Sequence, residues 1–279
     1  MLTLSVKPNL KVKEVECRTA LNLSKISGMA YCLNPYIGCE HRCIYCYATF
    51  MRRFRNHSEE WGSFVDVKIN FIDRLKKEIQ KKKIGSVAVG TVSDPYQPIE
   101  AKYHTTRQTI TLLNQYNFPY EILTKSNLIV RDIDLLKDNK NSSVELTITT
   151  VDEAIRQIFE PKAPSVLARL KTLEKLLANS IETTVFFGPV IPYFSDSPEK
   201  IGQFFRILQR IGIRRVLVDK LNYLETKIAQ IIRVLRNTFP QAIPYYQKIL
   251  LNPTHYQITL RQNIEVVAKD FKFSVEVLF

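Results

Sequence analysis

Glycine is scarce in this chain, 8 of 279 residues, about 3% against a typical ~7%. Neither G-x-x-x-x-G-K-[ST] nor G-x-G-x-x-G occurs, which excludes the glycine loops that cradle phosphates in common nucleotide-binding folds. Long apolar runs are missing too. None approaches the ~18 residues of a membrane span, and the start Met1-Leu2-Thr3 followed by Lys7 lacks the apolar stretch of a secretion signal. A cytoplasmic protein with no membrane partner is expected. Histidine is equally sparse: His57, His104 and His255 have no carboxylate or serine partner at motif spacing, so a hydrolytic triad has no support. Apolar residues at 45% and charged residues at 24% are ordinary for a folded protein and argue against disorder.

What is abundant is positive charge. Forty Lys and Arg against 27 Asp and Glu give +13, a bias toward anionic partners such as DNA or RNA. Part of it is clustered, with Lys7, Lys11, Lys13, Arg18, Lys25, Arg42, Arg52, Arg53 and Arg55 facing only Glu14, Glu16 and Glu40. The plain alternative is a solvated basic surface.

Short β-branched and aromatic runs alternate with stretches of helical period, the pattern of βα units around a parallel sheet. Strands are expected within 28–33 and at 86–91, 120–124, 143–150, 182–190 and 214–218. Between them, Asn70 is placed to cap a helix over 71–83, and Pro164 to sit in the first turn of a helix reaching Ala178. Ser197-Pro198 opens another to about Arg210, and 221–239 reads as a further one. Six units result, so the expected fold is α/β, a partial (β/α)6 TIM-type barrel over 28–240. Residues 1–27 form an N-terminal extension. After Pro240 come Tyr245-Tyr246, a helix near 253–270 and a strand-like 273–278; 241–279 is read as a small C-terminal covering segment packed on the barrel.

All five cysteines, at 17, 32, 39, 43 and 46, fall in the first fifth of the chain. An odd number crowded into one segment of a cytosolic protein favours metal binding over disulfides. Cys39, Cys43 and Cys46 are spaced C-x3-C-x2-C on a loop between a strand and a helix starting near Ala48, so three thiolates can converge. A structural zinc site would need a fourth ligand, from His41 or Cys32. An iron–sulfur cubane, which normally takes four cysteines, would keep one iron open for a non-protein ligand. Cys17 and Cys32 read as buried small hydrophobes, and His41 as a neighbour of the site or a surface group.

The string Asn34-Pro35-Tyr36-Ile37-Gly38-Cys39-x3-Cys43-Ile44-Tyr45-Cys46-Tyr47-Ala48 resembles the signature loop of radical S-adenosylmethionine (SAM) enzymes. Its flanks resemble the branch containing spore photoproduct lyase, often called DNA repair photolyase-like. Further blocks agree: Gly90-Thr91-Val92-Ser93-Asp94-Pro95-Tyr96-Gln97-Pro98, Thr124-Lys125-Ser126 with Arg131-Asp132, Thr147 to Thr150 with Glu160-Pro161 and Arg169, and Gly188-Pro189-Val190-Ile191-Pro192. The likeness covers about residues 28–220.

The resemblance implies a [4Fe–4S] cluster on Cys39, Cys43 and Cys46, with SAM chelating the open iron. A reductant such as ferredoxin or flavodoxin would feed an electron to the SAM sulfonium, yielding a 5′-deoxyadenosyl radical that abstracts hydrogen. It places Tyr45 near the adenine, and Ser93 and Asp94 near the SAM amino acid and ribose. The SAM carboxylate calls for a cationic or hydroxyl donor, for which Lys125 is best placed, with Thr149 and Ser93 beside it. Arg131, Glu160 and Arg169 read as structural ion pairs. Where spore photoproduct lyase has a cysteine that returns a hydrogen atom, this chain has Thr91. A hydroxyl is a far poorer hydrogen-atom donor than a thiol, so the resemblance carries the radical-generating half but not photoproduct repair. A nucleic-acid base or nucleotide is the first expectation for the substrate, with Tyr96, Tyr103, Tyr193 and Phe194 as stacking groups around the mouth, and a peptide or small metabolite is the alternative. The competing reading is a zinc-stabilised, non-enzymatic nucleic-acid-binding protein.

Overall fold

The computed structural model describes residues 10–54 and 56–279. Lys7 and Arg55 of the basic cluster, and the first nine residues of the expected N-terminal extension, lie outside the described residues. Among the described residues, eleven strands form two sheets: β1 Lys11–Val15, β2 Asn22–Leu23, β3 Tyr31–Leu33, β4 Tyr36–Ile37, β5 Phe64–Lys68, β6 Val87–Val89, β7 Tyr120–Thr124, β8 Ser143–Thr147, β9 Glu182–Val190, β10 Arg215–Lys220 and β11 Ser274–Val277. The large sheet runs β2-β3-β6-β7-β8-β9-β10-β11, and a small one runs β1-β5-β4. Every pairing from β3 to β11 is parallel, while β2 adds to β3 antiparallel. The six expected units are β3, β6, β7, β8, β9 and β10, in chain order. The ladder has two free ends, as an open barrel requires.

Period-two alternation explains how these strands make a shell. Ile122 pairs with Val144, and Val185 with both Leu146 and Val216; all five are completely buried, in the layer beneath the helices. The intervening residues, among them Leu123, Thr147 and Phe186, face the other way and line a cavity inside the barrel. Helices close the outer face through spaced apolar side chains: Phe71, Leu75 and Ile79 on one (Phe71–Ile79), and Ile201, Phe204, Phe205 and Leu208 on another (Pro198–Ile211). Fully burying each is worth about 1.5–3 kcal/mol.

Several expectations are corrected. Asn70 sits at the helix start but makes no side-chain cap. Its amide clamps Cys17 instead, accepting from the Cys17 N–H at 2.8 Å and donating to its carbonyl at 3.1 Å. Pro164 precedes the helix Val166–Ala178, whose cap is Ser165. Ser197 does cap Pro198–Ile211, accepting from Lys200 N. Two features have no counterpart in the sequence reading. β5 builds the small sheet, and residues 11–15, within the expected extension, pair with it. The terminal strand β11 does more than cover the barrel, since it joins the sheet beside β10. Among the described residues no helix is long and apolar enough to cross a membrane.

At the amino-terminal end of the strands the interior holds carboxylates. Glu145 lies on the cavity-facing side of β8, two residues before Thr147, and is pushed up to about 9 by burial and by the neighbouring Glu121 of β7; Arg215 opposes this and Glu276 adds to it. Arg215 and Glu276 pair at 2.7 Å. A carboxyl held above its ordinary value in the folded state makes the fold bind more protons than the unfolded chain, so stability falls as pH rises from about 4.5 toward 9. Glu145→Gln removes that dependence: urea midpoints of the variant should change less between pH 5 and pH 8.5 than those of the parent.

At the other end, Gly90 closes β6 with φ +91°, and a Cβ there would stand 2.4 Å from Pro95 Cδ and 2.9 Å from the Leu123 carbonyl. Gly90→Ala should cost about 1–3 kcal/mol from backbone strain alone, read as a lowered urea midpoint.

Candidate active site

The cysteine loop is shaped before its sulfurs matter. β4 pairs antiparallel with β5, and the chain turns at Gly38, φ +88°, where a Cβ would meet the Phe64 carbonyl at 2.4 Å. Arg42 takes a left-handed conformation, φ 55°, Cys46 N donates to the Cys43 carbonyl at 3.2 Å, and Ile44 N donates to the Phe159 carbonyl at 2.9 Å. A short 3-10 turn, Tyr47–Phe50, leads away. Cys39, Cys43 and Cys46 all border one cavity of about 500 Å3 at the carboxyl ends of the strands, and Tyr45, Thr91, Ser93, Asp94 and Lys125 border the same space.

Burial pushes the Cys43 thiol well above its ordinary value, helped by Glu160 and opposed by Lys125; burial likewise pushes Cys46 up to about 11. Such thiols ionise against a soft metal centre, to which thiolate is the natural donor. A zinc ion needs four ligands at about 2.0–2.3 Å from one point. Of the two expected fourth ligands, only His41 borders the cavity. His41 Nδ1 lies 3.2 Å from Asp94 Oδ2, a charge contact without an aligned hydrogen bond, and Cys32 does not border the cavity. Among the described residues, no three His, Cys, Asp or Glu side chains gather as the ligands of a single ion. Three thiols lining one cavity are a donor set that a cubane can take, each sulfur at a different corner.

The loop is held by Glu160. Its carboxylate accepts from the Tyr45 hydroxyl, from Thr149 Oγ1 at 3.1 Å and from Arg169. Burial would raise this carboxyl, but Arg169 and Lys125 outweigh it and hold it down at about 2. Arg169 also donates to the Thr147 carbonyl at 3.2 Å and the Pro164 carbonyl at 3.1 Å. Two residues read from sequence as structural ion pairs thus join the cysteine loop to β8 and the helix Val166–Ala178.

Asp94 is equally committed. It accepts from Tyr96 N at 2.9 Å, Thr124 Oγ1 at 2.7 Å and Lys125 N at 2.8 Å. Burial works against its charge, but His41 and these donors keep it at about 2. Ser93 is buried and donates to the Tyr36 carbonyl at 3.2 Å. Lys125 is half-buried with its ammonium 5.8 Å from the centre of the Tyr45 ring. Thr149 is fully buried behind the wall and does not border the cavity. Thr91 accepts from Asn34 Nδ2 at 2.8 Å.

The expected mouth aromatics are placed differently. Tyr96 is fully buried on Asp132, Tyr103 donates to Glu14, and Phe194 is buried against Phe159. Tyr193 meets Tyr245 edge-to-face and does not border the cavity. The aromatics that do border it and remain open are Tyr47, 48% exposed, and Tyr223, 63% exposed. Asp219 and Lys220 at the end of β10 and Asn222 just after it also reach the cavity, linked by hydrogen bonds of 2.7 and 2.8 Å. The position of these residues at the carboxyl end of the sixth strand was the signal available for them.

The sequence profile of the radical SAM superfamily matches residues 33–205. An uncharacterised protein of Methanocaldococcus jannaschii is 36% identical over 194 residues, spanning 70% of this chain and 73% of that protein. One of Mycobacterium bovis is 27% identical over 277 residues, 94% and 81% of the two chains. A radical SAM Nα-GlyT isomerase of Pseudomonas phage M6 is 25% identical over 186 residues, 66% of this chain but 38% of the phage protein. Among solved structures, spore photoproduct lyase with AdoMet and dinucleoside spore photoproduct superposes at TM-score 0.71, covering 97% of this chain and 82% of that one at 15% identity. That likeness is one of fold.

Arg169→Leu strands the Glu160 charge and should cost about 3–5 kcal/mol, while Glu160→Leu with Arg169→Leu should recover much of it. Urea unfolding of all three forms reads this directly.

Proposed function

The chain belongs to the radical SAM superfamily, and on that premise we propose that Cys39, Cys43 and Cys46 hold a [4Fe–4S] cluster whose fourth iron takes SAM. When bound and reduced, this pair supplies a 5′-deoxyadenosyl radical that abstracts hydrogen from the substrate. The observation carrying the reading is that the three loop thiols and the Lys125 ammonium border one space at the carboxyl ends of the strands, where active sites of βα barrels are assembled.

Within that space, Lys125 offers its cation to the SAM carboxylate, with the Ser93 hydroxyl beside it. Tyr45 presents its ring where the adenine would lie, its hydroxyl anchored on Glu160. Asp94 acts through others, fixing the Lys125 backbone and the Thr124 hydroxyl. Thr149 acts through Glu160. Val92, Leu123, Phe186 and Leu221 line the remaining wall and exclude water, which protects a radical and strengthens every charge contact. The barrel, 28–240, carries this machinery, with 1–27 and 241–279 as extensions. A cytoplasmic reductant such as ferredoxin or flavodoxin supplies the electron.

A nucleic-acid base or nucleotide is the proposed substrate, supported by the +13 charge and by the dinucleoside that spore photoproduct lyase binds. Photoproduct repair is not proposed, because Thr91 and its hydrogen-bonded hydroxyl stand where a thiol is needed.

Anaerobically reconstituted protein, reduced with dithionite and given SAM, should form 5′-deoxyadenosine; well-loaded protein that forms none overturns the reading. Replacing all three of Cys39, Cys43 and Cys46 by alanine should abolish iron and sulfide binding. Lys125→Met, which loses one charge-assisted hydrogen bond, should raise the KM for SAM roughly 10- to 150-fold while leaving cluster absorbance in place.

A further inference from the structure

A second cavity, of about 640 Å3, adjoins the thiol-lined one, and Tyr47 and Tyr223 border both. Among the described residues its lining carries Arg52, Arg53 and Lys227 and no Asp or Glu. None of the three cations is in an ion pair among the described residues: Arg52 donates to the Ser58 carbonyl at 3.1 Å, and Lys227 donates to Thr49 Oγ1. Lys227 is only 7% exposed, and the buried Arg52 Nε has no partner. Burying a cation with no counter-charge is costly unless an anion arrives to meet it.

The backbone adds to the same field. The 15-residue helix Leu224–Thr238 begins at this cavity, and its start at Tyr223 has no side-chain cap. Glu225, in its first turn, is exposed and does not line the cavity. The positive end of the helix therefore points with the three cations at one space. The shared wall is aromatic, and rings open to solvent can stack on a planar base.

We propose that the second cavity is a phosphate subsite. Arg52, Arg53 and Lys227 hold a phosphate group of the substrate while the part to be modified passes between Tyr47 and Tyr223 into the thiol-lined cavity. This rests on the radical SAM reading for the role of the first cavity. The shared chemistry is a phosphate monoester or diester, whether it belongs to a nucleotide, a nucleic-acid strand or free orthophosphate.

The test is fluorescence anisotropy of a short labelled single-stranded DNA titrated with anaerobically reconstituted protein over a salt series, then competed with thymidine 5′-monophosphate or orthophosphate. Binding should weaken with salt, and the slope of log K against log salt should fall by about one for each cation removed, in Arg53→Gln and in the pair Arg52→Gln with Arg53→Gln. The double Arg→Lys protein should keep the slope. Arg53 is exposed, so its single variant carries the test even where the double variant folds poorly. Competition by the nucleotide but not by orthophosphate assigns the phosphate to a nucleotide unit, and equal competition assigns it to the phosphate alone. Absence of DNA binding at low salt with neither competitor bound, or an Arg→Gln protein with unchanged affinity and slope, overturns the proposal. Formation of 5′-deoxyadenosine is read separately, so phosphate binding without SAM cleavage would sink the radical reading and leave the anion site standing.

Discussion

A single buried carboxylate holds the site together. Glu160 accepts from Tyr45 in the cysteine loop, from Thr149 after β8 and from Arg169 in the helix Val166–Ala178, so three separate pieces of chain meet at two oxygens. Taking Glu160 and Arg169 out of water costs several kcal/mol per ion, and their attraction roughly repays it only because the remaining lone pairs and N–H groups are also satisfied. The pair is better understood as fixing geometry than as adding stability. It sets where Tyr45 points, and with it the stretch from Cys43 to Cys46, without any sulfur ligand having to supply that constraint.

The two ends of the barrel divide the labour. At the carboxyl ends of the strands, Asp94 and Glu160 are each saturated by donors, which leaves the Lys125 ammonium facing the cavity. At the amino ends, Glu145 and Glu121 crowd together with Arg215 as the opposing charge. The first arrangement keeps carboxylates ionised deep inside the protein. The second keeps a proton on one of them. Opposite solutions to burial within one sheet place a cation beside the thiol-lined cavity and a neutral acid toward the other end of the strands.

Much of this was legible in the sequence because it is periodic or local. β7 and β9 run over the expected 120–124 and 182–190, since alternating apolar residues bounded by turn formers leave few other readings. The thiols, Ser93, Asp94 and Lys125 share one cavity because strand-end loops must converge. What was not legible depends on partners distant in the chain. β5 contains the buried Asp66, which meets His57 at 3.0 Å. Asn70 has the residue type of a helix cap but is claimed by Cys17. Tyr96 and Phe194 have the right type for a stacking platform, yet Asp132 and Phe159 draw them inward, while Tyr47 and Tyr223 stay open.

The position of β11 bears on how the sheet is completed. β10 pairs with β9 on one side and with β11 on the other, and two helices, Ile243–Leu251 and Pro253–Ala268, intervene before β11 is reached. Until that last strand docks, β10 offers a bare row of N–H and C=O groups, a template that any extended chain can join. Residues 274–277 therefore cover the side of a strand whose carboxyl end reaches the thiol-lined cavity, and hand the edge of the sheet to β11.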